Sequence, residues 1–121
     1  MITIKEPYAD AIRRGEKKFE IRKRIPKSLA KGDTILVCVG RNGGYVEFSF
    51  RVSSVVSMPL MHFWSEYGRM LCISWNNFWE YAGGRQVIYA LGIECVEEMG
   101  HISVEDFGVS RPPQSFAKVN V

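Results

Sequence analysis

The alternation of apolar and polar side chains over residues 45–57 restricts the fold of this chain more than any other feature of its sequence. Apolar residues occupy every second position of its first half, at Val46, Phe48, Phe50 and Val52. A period of two is typical of a β-strand that packs one face on a core. We therefore predict one amphipathic strand over residues 45–57, with these four side chains in the core.

The stretch before this strand indicates how the two segments pair. Residues 34–39 are almost entirely apolar, which is typical of a strand in the middle of a sheet. Only residues 40–44 separate the two strands, and Asn42-Gly43 within them is a hairpin signal. Because a loop of this length is too short for a parallel crossover, we predict an antiparallel pair and do not expect a repeated βαβ fold.

The rest of the chain adds helices and further strands. In chain order we predict a strand over 2–5, a helix from Pro7 to Gly15, a strand over 17–24, helices over 60–71 and from Ser74 to Gly83, a strand over 86–99, and one helical turn after Ser103. This order predicts a single α+β domain over residues 1–121, with a small mixed β-barrel and flanking helices. Residues 101–121 would form a C-terminal extension, whose part 115–121 returns as an edge strand or frays.

A basic segment at residues 13–24 dominates the charge distribution. It carries +5, whereas the rest of the 121-residue chain carries −2, so the net charge is only +3. A local positive patch attracts polyanions whatever the mean charge is. Strand periodicity turns Phe19 and Ile21 towards the core. The side chains predicted on the opposite face are Lys18, Glu20, Arg22 and Arg24. The alternative is an ordinary solvated strand face.

The same region carries a resemblance. Four short stretches together resemble the opening motif of the ASCH domain family, which has the PUA-like superfold. They are residues 7–9, Ile12, residues 15–18 and residues 20–22. The similarity continues at Lys31-Gly32-Asp33 and at residues 86–93, and it covers residues 2 to 98. It implies a PUA-like barrel. It also implies the family's known or proposed roles, which are RNA binding and, in some members, hydrolysis of a modified nucleoside or ribonuclease activity.

Lys17 is the first candidate for chemistry. A lysine acts as a nucleophile or base when burial or nearby cations lower its pKa. By resemblance, Lys17 matches the catalytic lysine of the acetylcytidine amidohydrolase branch of the family. That branch has a threonine at the position of Glu20, so this sequence departs from it there. It also has a downstream acidic residue, for which Glu66 is the nearest candidate. The alternative for Lys17 is a phosphate-binding or solvated cation.

Binding residues are predicted beside it. Glu20 and Arg22 share a strand face and can form a polar pair around a ligand, since a guanidinium suits phosphate or carbonyl recognition. The residues predicted to contact nucleic acid are Lys17, Lys18, Arg22, Lys23, Arg24, Trp64 and Trp75. The two tryptophans flank a predicted loop and could stack on unpaired bases. The alternative is that the aromatic residues at helical spacing over 63–79 are core.

The remaining composition bounds the class of protein. Cys38, Cys72 and Cys95 are odd in number and widely spaced, so we expect reduced thiols in a cytoplasmic protein, with Cys38 and Cys95 in the core. We expect no metal site, no cofactor, no signal peptide and no membrane span.

We therefore predict a domain that binds RNA or a nucleoside or nucleotide ligand in a basic cleft. One alternative is a hydrolase, either an amidohydrolase on an acylated cytidine or a ribonuclease, with Lys17 as the catalytic residue. The other is a protein-interaction or regulatory module whose basic strand meets an acidic partner.

Overall fold

The computed structural model describes residues 1–40 and 44–119. Its elements in chain order are β1 (Ile2–Ile4), α1 (Glu6–Arg13), β2 (Phe19–Arg22), β3 (Thr34–Val39), β4 (Tyr45–Pro59), α2 (Leu60–Tyr67), a 3-10 turn (Gly68–Met70), α3 (Trp75–Ala82), β5 (Val87–Ser103) and a second 3-10 turn (Val104–Phe107). The hairpin signal predicted at Asn42-Gly43 lies outside the described residues. Within them, every helix is too short or too polar to cross a membrane.

The five strands form one mixed sheet in the order β1-β3-β4-β5-β2. β1 pairs parallel to β3, and the other neighbours pair antiparallel, including β3 with β4 as predicted. The α+β class is therefore confirmed. Over residues 1–40 and 44–119 the ladder stays open between β1 and β2, so a closed barrel remains a prediction.

The amphipathic strand is confirmed as β4. Its alternate side chains Val46, Phe48, Phe50 and Val52 are all 0% exposed. Phe48, Phe50 and Val52 pack with residues of β1, α1 and β3 in the larger core cluster, whereas Val46 packs in a smaller third cluster with Met1, Cys38 and Val104. A second cluster lies under α2 and α3, where Phe63, Leu71 and Phe78 are fully buried against β5. The described residues thus form three clusters of buried side chains, of which the one around Phe48 and the one under α2 and α3 are the larger.

The loop after α1 sets the position of Lys17. Pro7 lies in the first turn of α1, where its missing N–H costs no hydrogen bond. The helix ends at Arg13, and Gly15 takes the left-handed conformation (φ +76°) that ends helices favourably. The N–H groups of Glu16 and Lys17 both donate to the carbonyl of Ala11, so the chain folds back against the helix.

Several predicted boundaries move. The predicted helix over 60–71 ends earlier, at Tyr67, and a 3-10 turn follows. The indole of Trp64 packs over Gly68, where an added Cβ would lie 3.1 Å from a ring carbon. β2 is shorter than predicted at both ends, since it begins at Phe19 and ends at Arg22. β5 extends to Ser103.

Of the predictions for the C-terminal part of the chain, some are confirmed and others are wrong. The helical turn after Ser103 is confirmed, with the Ser103 hydroxyl accepting from the Glu105 N–H. Residues 115–119 form no strand; the Ala117 N–H instead donates to the carbonyl of Met1. Of the cysteines expected in the core, Cys38 is buried, whereas Cys95 is exposed because it lies at positive φ in the polar half of β5.

Candidate ligand cleft

A cleft of about 560 Å³ opens between the two edge strands of the sheet. Its walls come from β1, α1, β2, α3 and the C-terminal segment. The lining residues are Thr3, Ile4, Lys5, Tyr8, Lys17, Glu20, Ile21, Arg22, Lys23, Ile73, Asn77, Glu80, Tyr81 and Gln114. The cleft therefore contains four of the predicted site residues, all of them charged and all from β2 or the residues next to it: Lys17, Glu20, Arg22 and Lys23.

Lys17 is buried although it carries an amine. The whole residue is 3% exposed, and its Nζ donates to the carbonyl of Leu71 at 2.6 Å. The Glu20 Oε1 atom lies 3.9 Å from the same nitrogen, which is an ion-pair contact longer than a hydrogen bond. The ring of Tyr8 lies 5.4 Å from the amine. One hydrogen bond, one carboxylate and one aromatic face thus surround the Lys17 amine.

Backbone hydrogen bonds of the next residue, Lys18, hold Lys17 in position at the cleft. The N–H of Lys18 donates to the carbonyl of Met70, and the carbonyl of Lys18 accepts from the N–H of Ile93. The lead-in to β2 is therefore held between the 3-10 turn and β5. Leu71 follows that turn, so its carbonyl comes from the same structure that anchors Lys18.

Glu20 and Arg22 form a buried ion pair along one face of β2. Arg22 Nη2 lies 3.0 Å from Glu20 Oε2, and both residues are less than one tenth exposed. The same Arg22 Nη2 donates to the carbonyl of Thr3 at 2.9 Å, so the guanidinium spans from edge strand β2 to edge strand β1. The predicted shared face is confirmed, and the alternative of a solvated strand face is wrong for Glu20 and Arg22.

Two buried polar atoms at this bridge have no hydrogen-bond partner among the described residues, namely Arg22 Nε and Thr3 Oγ1. Both residues line the cleft. A buried polar group without a partner costs free energy. The cleft therefore retains hydrogen-bonding capacity at its base.

Burial lowers the pKa of Lys17 below the ordinary value of a lysine, because desolvation disfavours the charged ammonium. The Glu20 carboxylate opposes this shift, and the Cys72 side chain opposes it further, whereas Arg22 reinforces it. A lower pKa increases the fraction of Lys17 that carries the neutral amine at a given pH, and the neutral amine is the nucleophilic and basic form.

The rim of the cleft is polar and aromatic. Lys23 Nζ lies 4.8 Å from the centre of the Tyr81 ring, which places α3 beside the end of β2. Burial raises the pKa of the Tyr81 phenol above its ordinary value, so the hydroxyl stays protonated and can donate at neutral pH. Asn77 and Glu80 occupy the same face of α3.

The structure separates the other predicted site residues from this cleft. The described residues that line the cleft do not include Lys18, Arg24, Glu66, Trp64 or Trp75. Lys18, Arg24 and Glu66 are exposed to solvent. The second acidic side chain at the cleft is Glu80 on α3, whereas Glu66, the predicted downstream acid, lies outside the lining. Helix periodicity could have grouped Asn77, Glu80 and Tyr81.

The aromatic residues of α2 and α3 divide between core and surface. Phe63 and Phe78 are fully buried, whereas Trp75 and Trp79 are 40% and 47% exposed. Their rings stack at 5.7 Å, and Trp64 meets Trp75 edge-on at 5.1 Å. The core alternative is thus wrong for Trp79, and Trp75 is exposed as well. At 100° per residue these two lie on the face of α3 opposite to the cleft.

No metal-binding constellation is found in the part of the chain that the structure describes, since no three His, Cys, Asp or Glu side chains come together there. The charged groups that converge are one amine, one carboxylate and one guanidinium. Such a set can hold an anionic or carbonyl-bearing ligand by direct hydrogen bonds.

Fold and cleft together define a class of protein: an α+β domain with a charged cleft between the two edges of a five-stranded mixed sheet. The chain belongs to the ASCH domain family, because the ASCH domain model matches residues 2–99.

Solved structures with this fold come from the same family. One is a mutant form of the ASCH protein of Zymomonas mobilis, at 25% identity and a TM-score of 0.83, covering 94% of this chain and 84% of that one. The unmodified Zymomonas mobilis ASCH protein gives 24% identity and a TM-score of 0.82, with 94% and 82% covered. No curated protein matches the sequence.

Proposed function

We propose that the cleft binds a nucleoside or nucleotide, either free or as one residue of an RNA chain. The observation that carries this proposal is the buried set of Lys17, Glu20 and Arg22 at the base of the cleft, between the two edge strands. Burying three charged groups is costly and is not a general route to stability. A set of donors and acceptors held in fixed positions is what recognition of a polar ligand needs.

Size and charge agree with such a ligand. A volume of about 560 Å³ falls within the range typical of small-molecule sites, about 300–1,000 Å³. Lys5 and Lys23 join Lys17 and Arg22 in the lining, against the two carboxylates of Glu20 and Glu80. The positive excess favours a phosphate, while the amide and aromatic groups of the rim suit a base. Membership of the ASCH domain family supports interaction with nucleic acid or nucleotides in general.

Calorimetric titration with cytidine 5′-monophosphate and with short single-stranded RNAs tests the proposal. Glu20→Gln should weaken binding at least about fivefold, because it removes the charge that orients Arg22 and Lys17. Glu66→Gln is the matched control, since Glu66 is exposed and lies outside the cleft. Equal affinities of the Glu20→Gln variant and the unmodified protein would contradict the proposal.

A second function is favoured by one specific observation. The Lys17 amine has a lowered pKa and lies 3.9 Å from a carboxylate oxygen of Glu20. A neutral amine can act as nucleophile or base, and a neighbouring carboxylate can relay the proton. We propose as the alternative that the cleft hydrolyses an acylated cytidine: water adds across the acyl C–N bond, which breaks to release the carboxylic acid and the free amino group.

This alternative is tested by Lys17→Arg, which keeps the charge and removes the nucleophile. If acetylated cytidine is hydrolysed, turnover should be lost in Lys17→Arg and kept in Lys18→Arg, because Lys18 is exposed and outside the cleft. A panel that also contains short RNAs distinguishes amidohydrolase from ribonuclease activity. No turnover by the unmodified protein on any substrate would leave binding alone as the function.

A further inference from the structure

The C-terminal segment, residues 110–119, lies beyond the part of the chain that matches the family model, which ends at residue 99. Even so, its Gln114 lines the cleft. The segment is held against the start of β1 by the hydrogen bond from the Ala117 N–H to the carbonyl of Met1. It therefore contributes Gln114 to the lining of the cleft and lies beside the start of β1.

Phe116 of this segment packs on Arg22. The guanidinium carbon lies 5.7 Å from the centre of the Phe116 ring, within the range of a cation–π contact. Phe116 also packs against the larger core cluster, so the position of its ring is fixed by the sheet. The ring covers a guanidinium that is already committed to Glu20 and to the carbonyl of Thr3. Phe116 thus limits how Arg22, and through it Glu20, can be placed.

Gln114 differs from the charged groups at the base of the cleft. Its side chain is exposed and lies at the mouth. An amide offers a donor and an acceptor side by side, which matches the edge of a nucleobase better than it matches a phosphate. Lys17, Lys23 and Arg22 are the groups suited to anionic parts of a ligand. The amide thus suits the base of a ligand, and the three cations suit its anionic part.

We propose that residues 110–119 are a working part of the site, in which Gln114 is a specificity-determining residue that reads the edge of a nucleobase and Phe116 is a positioning residue for Arg22. The role of Gln114 rests on the proposed function. The role of Phe116 concerns the arrangement of the site and holds whether or not the ligand is a nucleotide.

Gln114 is tested by calorimetry with two probes, cytidine and ribose 5-phosphate. Gln114→Ala should weaken cytidine binding about tenfold and leave ribose 5-phosphate binding unchanged, because only cytidine has a base edge. Lys118→Ala, an exposed residue of the same segment, is the control and should change neither. Unchanged cytidine binding by Gln114→Ala, in a protein whose Glu20→Gln variant binds weakly, overturns the inference and leaves the proposed function standing.

Phe116 is tested without any ligand, by NMR titration of the Lys17 side chain. In Phe116→Ala the pKa of Lys17 should rise towards the free value of about 10.4, since water reaches the site and Arg22 is less firmly placed beside it. Lys118→Ala should leave it unchanged. An unchanged Lys17 pKa in a folded Phe116→Ala variant overturns the positioning role. If the unmodified protein binds neither probe, the proposed function and the role of Gln114 both fail, and this titration still decides the role of Phe116.

Discussion

The Lys17 amine combines two conditions that oppose each other. It is removed from water, which favours the neutral form, and it lies near a carboxylate, which favours the charged form. Desolvation is the larger effect, so the pKa is lowered. The short bond to the Leu71 carbonyl serves both forms, because neutral and charged amines alike can donate. This residue can therefore change protonation state without losing its position.

The first prediction concerns the pH dependence of stability. The pKa of Lys17 is lower in the folded protein than in the unfolded chain, so between the two values the unfolded chain binds more protons. The free energy of unfolding should then rise with pH across this window, up to about pH 10.4. In urea unfolding from pH 7 to 10, the contribution of Lys17 is the part of the pH dependence that Lys17→Met removes, because the lowered pKa of the Met1 amine and the raised pKa of the Cys38 thiol act equally in both proteins.

Lys18→Met is the control for this measurement, because Lys18 is exposed. Measurements stop at pH 10 because the raised pKa of Tyr81 acts in the opposite direction above that value. An equally steep rise in the Lys17→Met variant would show that the amine titrates alike in both states.

At the residue scale, sequence reasoning identified the side chains but not their environment. Strand periodicity correctly assigned Glu20 and Arg22 to one face of β2. It could not show that this face is covered, because α3 and the C-terminal segment that cover it come more than fifty residues later in the chain. The same limit explains why Glu80 was missed: its role depends on which face of α3 meets β2.

Among the elements, β4 is the one whose pattern was most informative. Its apolar side chains alternate without interruption up to Val52, and the structure places all of them in the core. Beyond that point the burial becomes partial. Register shifts against β5 begin earlier, the first of them already between Val46 and Phe48. A two-residue period identifies a strand only where one face is packed throughout.

The second prediction belongs to this strand. Phe48→Ala or Phe50→Ala should lower the free energy of unfolding by about 3–5 kcal/mol, since each ring is fully buried and its removal leaves a cavity. Val55→Ala, at a position of the same strand that is 36% exposed, should cost less than about 1 kcal/mol. Chemical denaturation measures all three. A loss at Phe48 no larger than that at Val55 would be incompatible with this core.

The helix α3 presents different side chains on opposite faces. Asn77, Glu80 and Tyr81 line the cleft, whereas Trp75 and Trp79 stack on each other in solvent. Helical spacing groups Trp75 and Trp79 with Phe78 and Ala82 on one side of α3, but only Phe78 and Ala82 are buried. Spacing alone could not tell which of the four meet the core.

The third prediction follows from this division. Trp75→Ala should change the affinity for cytidine 5′-monophosphate less than twofold, because the indole lies outside the cleft. Tyr81→Ala should weaken the same binding several-fold, since its ring lines the cleft beside Lys23. Calorimetry compares the two. Strong weakening by Trp75→Ala alone would move the ligand to the other face of α3 and restore the predicted stacking role.

On the scale of the whole molecule, the basic segment 13–24 does not act as one patch. Lys17 and Arg22 are buried in the cleft, and Arg13 is paired with Glu47 and Glu98. The exposed basic residues are Arg14, which pairs with Glu16, and Lys18, Lys23 and Arg24. The exposed part is thus smaller than the +5 of the sequence suggests. Charge counting located the segment, whereas its division into buried and exposed parts depends on the tertiary fold.

The fourth prediction concerns this exposed part. If RNA extends from the cleft along it, affinity for a short single-stranded RNA should fall with salt, at a slope near −0.7 for each phosphate contact. Lys18→Ala and Lys23→Ala should each lower both the affinity and the slope. Lys31→Ala, an exposed lysine outside the basic segment, should change neither. Binding that is insensitive to salt would exclude these phosphate contacts.

The sheet order has a consequence for how the site comes into being. β1 and β2 are neighbours in the sequence, yet three strands lie between them in the sheet. β1 needs β3 as its partner and β2 needs β5, so the two walls of the cleft face each other only when β3, β4 and β5 have joined. Such long-range pairings form late and slowly. A protein that binds the ligand has therefore formed the entire sheet. The two strands that come first in the sequence, β1 and β2, complete the site only after the three later strands have paired.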